Sequence, residues 1–217
     1  MRTPEQILDE LLARRPELAP LRSELLAAYA AMQATLAGGG TLFVCGNGGS
    51  AADSEHIVGE LLKGFLLPRR LGAEWAERLY AAGPVADADY LAARLQGGLR
   101  AVALTGHPAL STAVINDNGG DLAFAQQVMA LGRPGDALLA LSTSGRARNV
   151  LLAAHTARAI GVRVIAATGA GGGPLRDQAD VWVGVPERET FKVQELHLPV
   201  YHAWCAMLEA AFFGGND

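Results

Sequence analysis

An apolar run, Thr41-Leu42-Phe43-Val44, ends in Cys45-Gly46-Asn47-Gly48-Gly49-Ser50 and passes directly into a helical pattern that reaches Glu60. A strand that turns through glycines into a helix sets bare backbone N–H groups and the positive end of a helix dipole at one spot. That spot suits an anion, most often a phosphate. The spacing matches neither GxGxxG with a distal acid nor the Walker pattern, which needs Gly-Lys-Ser/Thr. A second turn of the same kind, Leu141-Ser142-Thr143-Ser144-Gly145, leaves the strand Ala137-Leu138-Leu139-Ala140. One such turn alone would serve as an N-cap, where serine and threonine are favoured anyway. Two on one sheet, offering Asn47, Gly48, Gly49 and Ser50 from the first and Ser142, Thr143 and Ser144 from the second, predict a site for a sugar phosphate.

Strand and helix patterns alternate through the rest of the chain. Residues 4–37 read as a long amino-terminal helix broken near Pro16 and Pro20 and stopped by Gly38-Gly39-Gly40. Strands are expected at 41–45, 100–105, 137–141, 162–167 and 181–185, and helices at 50–62, 120–131, 147–160, 174–178 and 190–213. The strands are short and lack in/out alternation, which predicts a parallel sheet covered on both faces. Ligands of such sheets bind at the carboxyl ends of the strands, where both turns lie. Residues 65–99 exceed an ordinary helix-to-strand connection. Ala73–Ala82 and Asp87–Leu95 read there as short amphipathic helices, the second capped by Asp87, in an insertion covering the site or an interface.

At 217 residues with 50% apolar composition, the chain can build one domain with a substantial core. A net charge of −4 with no basic block argues against a nucleic-acid partner. No apolar run approaches the ~18 residues of a membrane span. Residues 1–20 lack the apolar stretch of a signal peptide. Cys45 and Cys205 suggest neither a disulfide framework nor a zinc knuckle. The expectation is a soluble cytoplasmic protein. Trp75, Trp182 and Trp204 are assigned to packing.

Three further groups carry chemistry. His56 and Glu60 are four apart on the helix leaving the first turn and share a face. The last helix carries Gln194, Glu195, His197 and His202; helical spacing puts Glu195 and His202 nearly in line with Gln194 beside them, whereas His197 points elsewhere and reads as a packing residue. Asn116-Asp117, after the second strand, could bond sugar hydroxyls or cap a turn.

The segments CGNGGSAADSEHIVGEL, LSTSGRARN and FKVQELHLPVYH together resemble the sugar-isomerase (SIS) domain family and, within it, the phosphoheptose isomerases. The resemblance covers nearly the whole chain, a single SIS domain over 1–217, except the insertion at about 65–99. It implies a flavodoxin-like five-stranded parallel sheet between helices and a homotetramer with active sites at subunit interfaces. The implied activity converts sedoheptulose 7-phosphate to glycero-manno-heptose 7-phosphate. By position, Ser50, Ser142, Thr143 and Ser144 match the family's phosphate-binding residues, Asn47 its substrate loop, Glu60 its catalytic base and His202 its catalytic acid. His56, Glu60, Gln194 and His202 match a zinc site of some members; an amide ligand such as Gln194 implies weak binding.

Three positions depart from that pattern. Ala147 stands where a further phosphate-binding serine is common, Leu62 where a polar residue follows the catalytic glutamate, and Phe191-Lys192 where an Asp-Arg pair precedes Gln-Glu. These leave the phosphate turns and the acid–base pair intact and bear on substrate choice. The main rival function is a non-catalytic SIS protein, acting by sugar-phosphate sensing or by protein contact in the manner of the replication-initiator-associating branch. In that branch asparagine stands at the position of His202.

Overall fold

The computed structural model describes residues 2–215. Five strands, β1 (Leu42–Cys45), β2 (Ala101–Ala103), β3 (Ala137–Leu141), β4 (Arg163–Gly169) and β5 (Val181–Val185), form one parallel sheet in the order β2-β1-β3-β4-β5. This is the flavodoxin-like order. The register sets Cys45 beside Ala140, so the turns after β1 and β3 leave the sheet as neighbours.

The missing in/out alternation has a direct cause: both faces of the sheet are buried. On one face Leu42, Val44, Leu139, Ile165 and Val183 lie under α1 (Pro4–Arg14), α2 (Arg22–Ala37), α3 (Gly49–Leu62) and α10 (Thr190–Phe213). On the other, Phe43, Cys45, Leu138, Ala140, Val164 and Ala166 meet α7 (Ala123–Leu131), α8 (Arg148–Ala159) and α9 (Gly173–Gln178). Cys45 and Cys205 are free, and burial pushes both thiols up to about 12, which keeps them protonated and unreactive.

The break in the amino-terminal helix falls where the prolines put it. Thr3 and Gln6 form a capping box at the start of α1. After Arg14 the chain tightens into a 3₁₀ turn, Pro16–Leu21, before α2 begins. The apolar faces of α1, α2 and α10 are largely consumed within the chain. Leu8, Leu11, Leu25 and Met32 share one core with Val200, Trp204 and Met207, and the Trp204 indole N–H donates to the Leu25 carbonyl at 3.1 Å. Among the described residues no helix is long and apolar enough to cross a membrane.

Two features differ from expectation. Pro108–Asp117 is a helix, α6, that the apolar pattern did not signal, because only Val114 on it is buried. Within residues 65–99, α4 (Ala73–Ala82) and α5 (Val85–Arg94) form a hairpin that stands away from the domain. No residue of α4 is buried and only Ala88 of α5 is. Trp75 is therefore not a packing residue: it is 53% exposed, with the Arg78 guanidinium 5.0 Å from its ring. Asp87 lies inside the first turn of α5 and does not cap it; Pro84 holds the N-cap position with no side-chain bond.

Candidate active site

The first turn needs glycine at one point above all. Gly48 has φ +55° at the N-cap of α3, a left-handed conformation that other residues adopt at a cost. Ser50 follows in the first turn of α3 and is buried. The second turn lies beside it and is pressed against a third strand-end loop. Gly145 has φ +63°, and a Cβ there would fall 1.8 Å from the Gly172 carbonyl oxygen. Gly169 N–H donates to the Thr143 carbonyl at 2.9 Å. Ser142 is buried, Thr143 half-buried and Ser144 exposed, its hydroxyl accepting from Arg146 N–H. The two turns are joined by side chains as well. Asn47 and Asn149 exchange two amide hydrogen bonds of 2.8 Å. Asn149, at the start of α8, had no signal in the sequence beyond its nearness to the second turn.

The candidate acid–base residues lie farther along α3. Ten residues of helix rise about 15 Å from Ser50 to Glu60, and side chains on a helix lean back toward its amino end. Glu60 Oε1 lies 3.2 Å from His56 Nε2, and its Oε2 3.1 Å from Lys63 Nζ. α10 packs across α3 and brings in His202, whose ring centroid is 5.0 Å from that of His56, 4.9 Å from that of Tyr201 and 5.6 Å from that of Phe65. Burial lowers the His202 pKa, helped by the nearby His56 and Arg14 and opposed by Glu60, so its imidazole is neutral at pH 7.

Tyr201 fixes the other side of His56. Its O–H donates to Asp53 Oδ1 at 3.1 Å, so the phenol oxygen, 3.0 Å from His56 Nδ1, accepts from that nitrogen. Burial raises the Asp53 pKa, with the Tyr201 hydrogen bond and His56 pulling the other way. With Nδ1 donating to Tyr201, Nε2 is the His56 nitrogen that faces the Glu60 carboxylate. That contact requires a proton or a cation between the two atoms. Ligands of a tetrahedral zinc, bound at about 2.0–2.2 Å, stand about 3.4 Å apart, close to the 3.2 Å observed. The donor pair thus suits zinc. The full expected set is assembled only in part: His202 stands beside the pair, and Gln194 packs on the first turn, where a Cβ on Gly49 would lie 2.6 Å from its Nε2. Among the described residues no three His, Cys, Asp or Glu side chains form a group able to hold a metal ion.

The remaining sequence candidates fall outside this cluster. Asn116 and Asp117 are exposed at the end of α6 and bond to each other at 2.7 Å. Glu195 is exposed. His197 is a packing residue as expected: it is 2% exposed, with Nε2–H donating to the Thr168 carbonyl at 3.3 Å. Of the departures, Leu62 and Phe191 are exposed, and Ala147 is the uncapped N-cap of α8. A cleft of about 760 Å³ lies at the opposite edge, where Arg100, Arg133, Asp136, Arg163 and Asp180 flank the amino ends of the strands. Its carboxylates are engaged by backbone: Asp136 accepts from Thr41 and Arg133 N–H, and Asp180 from Val164 N–H.

The sheet order defines a flavodoxin-like parallel α/β domain, and the SIS domain family model matches residues 81–169. The chain is 39% identical to the phosphoheptose isomerase of Rhodospirillum rubrum over 206 residues, 95% of this chain and 94% of that one. It is 38% identical to that of Mycobacterium tuberculosis over 216 residues, 98% and 96% of the two chains. A solved phosphoheptose isomerase from Neisseria gonorrhoeae superposes with a TM-score of 0.72 at 32% identity, covering 93% of this chain and 94% of that one. The chain belongs to the phosphoheptose isomerase family.

Proposed function

We propose that this protein is an aldose–ketose isomerase of sugar phosphates, acting on sedoheptulose 7-phosphate to give D-glycero-D-manno-heptose 7-phosphate. The observation that carries the proposal is the pairing of two separated functions along α3: a phosphate turn at its amino end, and Glu60, with His56 and His202 beside it, near its carboxyl end. The Gly48–Ser50 and Ser142–Ser144 turns hold the phosphate, and that remote grip supplies binding energy for orientation. Glu60 takes a proton from C1 of the ketose while His202 N–H serves the C2 oxygen, giving a cis-enediol. His202, having given its proton to the C2 oxygen, takes the O1 proton back, and Glu60 returns its proton to C2, which leaves the carbonyl at C1.

Zinc is part of the same proposal: His56 Nε2 and Glu60 would hold it, with His202 and Gln194 as the further ligands that the family resemblance implies, and it would supply Lewis-acid polarisation of the carbonyl. So is a homotetramer with the site at a subunit boundary. The exposure of His56, Asn47 and Ser144 on a single chain accords with it. Light scattering should give four chains per particle, and a stable monomer would remove the shared site. His202 and Glu60 both speak against the non-catalytic reading, since neither is needed for sensing or protein contact. The decisive assay offers ketose phosphates of five to seven carbons and follows aldose formation by NMR. Turnover fastest with the seven-carbon substrate is expected. No turnover on any of them would reject the isomerase and leave the binding role.

A further inference from the structure

Arg69 and Glu209 form the most deeply buried ion pair in the described chain, with side-chain exposures of 0% and 1% and Nε 2.8 Å from Oε1. Such a pair has little advantage in stability over apolar residues of the same volume. What distinguishes it is where its other hydrogen bonds go. Arg69 Nη1 donates to the Leu61 carbonyl at 2.7 Å and Nη2 to the Glu60 carbonyl at 2.9 Å. These are two of the last carbonyls of α3, which have no partner within the helix. Glu209 accepts three backbone N–H bonds: from Phe65 at 2.8 Å on Oε1, and from Leu66 at 2.7 Å and Leu67 at 3.1 Å on Oε2. Phe65, so held, lays its ring against His202 at 5.6 Å between centroids. His202 and Glu209 lie seven residues apart on α10, two turns along one face.

We infer that Arg69 and Glu209 are positioning residues for the isomerisation: together they fix the end of α3 that carries Glu60 against the face of α10 that carries His202. This rests on the isomerase reading above. The segment that carries Arg69 is also the foot of the α4–α5 hairpin. Gly97 N–H donates to the Arg69 carbonyl at 2.7 Å, Gly64 N–H to Gln96 Oε1 at 2.8 Å, and Arg70 pairs with Gln96. The insertion thus joins the domain at the residue that holds the proposed base. A displacement of about 1 Å between reacting groups can cost on the order of 100-fold in rate. The phosphate turns, tied through Asn47 and Asn149, do not depend on this pair.

The test is Arg69→Lys, which keeps a cation beside Glu209 and loses the fork to Glu60 and Leu61. The expected result, for folded protein isolated by gel filtration, is kcat lowered about 10- to 100-fold with KM within about threefold. A kcat within twofold of wild type, whatever the change in melting temperature, overturns the proposal. Should Arg69→Lys not fold, Phe65→Ala decides, because it keeps every bond to Glu209 and removes only the ring against His202. A fall in kcat at constant KM then supports the coupling, and unchanged kcat overturns it. A wild type inactive on every ketose phosphate rejects the isomerase reading itself, an outcome distinct from an active wild type that is indifferent to Arg69.

Discussion

Asn47 and Asn149, 102 residues apart, each donate a side-chain amide N–H to the other's carbonyl at 2.8 Å. The pair closes the turn after β1 onto the start of α8 and so sets the spacing of the two turns proposed to hold the phosphate. Asn149→Ala removes both bonds. At about 1 kcal/mol each, the phosphate should bind about tenfold more weakly or worse, with kcat changed less than KM. Isothermal titration with inorganic phosphate and steady-state kinetics measure both; unaltered affinity would show that the turns hold their spacing without the pair.

Glu60→Gln and His202→Asn should each lower turnover by about 10²–10⁴-fold while leaving the fold and phosphate affinity near wild type. Exchange of the substrate C1 proton with deuterium oxide, followed by NMR, separates the two roles. Glu60→Gln should abolish exchange. Exchange at the wild-type rate in that variant would assign the base elsewhere.

Tyr201→Phe removes the hydroxyl that holds His56 Nδ1–H, and so the orientation of Nε2 toward Glu60. Losing a partner of this kind costs about 10–100-fold in metal affinity. Zinc content after dialysis, read by atomic emission, should be about one ion per chain in the wild type, lower in Tyr201→Phe, and near zero in His56→Ala. Zinc removal by a chelator should lower turnover. A wild type that retains no zinc from a zinc-containing buffer would exclude the site.

His197 gives the fold an acid limit. Burial lowers its pKa to about 4, against about 6.5 in an unfolded chain, with the Thr168 carbonyl opposing the shift. The unfolded chain therefore takes up a proton first as the pH falls. Stability from this group is complete above about pH 6.5 and drains away between about 6.5 and 4, by roughly 3 kcal/mol in all. His197→Gln keeps a donor for Thr168 and cannot titrate. Urea unfolding at pH 7 and pH 4.5 should show a smaller acid loss in the variant than in the wild type; equal losses would place the acid sensitivity in other groups.

Much of this protein was legible in its sequence because the relevant physics is local. Glycines at 48 and 145, where the backbone is left-handed, the prolines that split α1 from α2, and the short unalternating strands each declare local geometry, and together they gave the sheet, its two buried faces and the two turns at its carboxyl edge. The i,i+4 spacing of His56 and Glu60 likewise placed them on one face. Long-range contacts decided the rest. α6 stayed hidden because a helix that buries one residue has no apolar period to detect, and Trp75 was misassigned because the hairpin it sits on finds no surface within the chain. Nothing near Asn149, Tyr201, Arg69 or Glu209 in the sequence marks a partner 102, 145 or 140 residues away. Sequence fixes what each backbone segment can be; which side chains meet depends on how β1 pairs with β3 and how α10 crosses α3, and only the packed structure settles that.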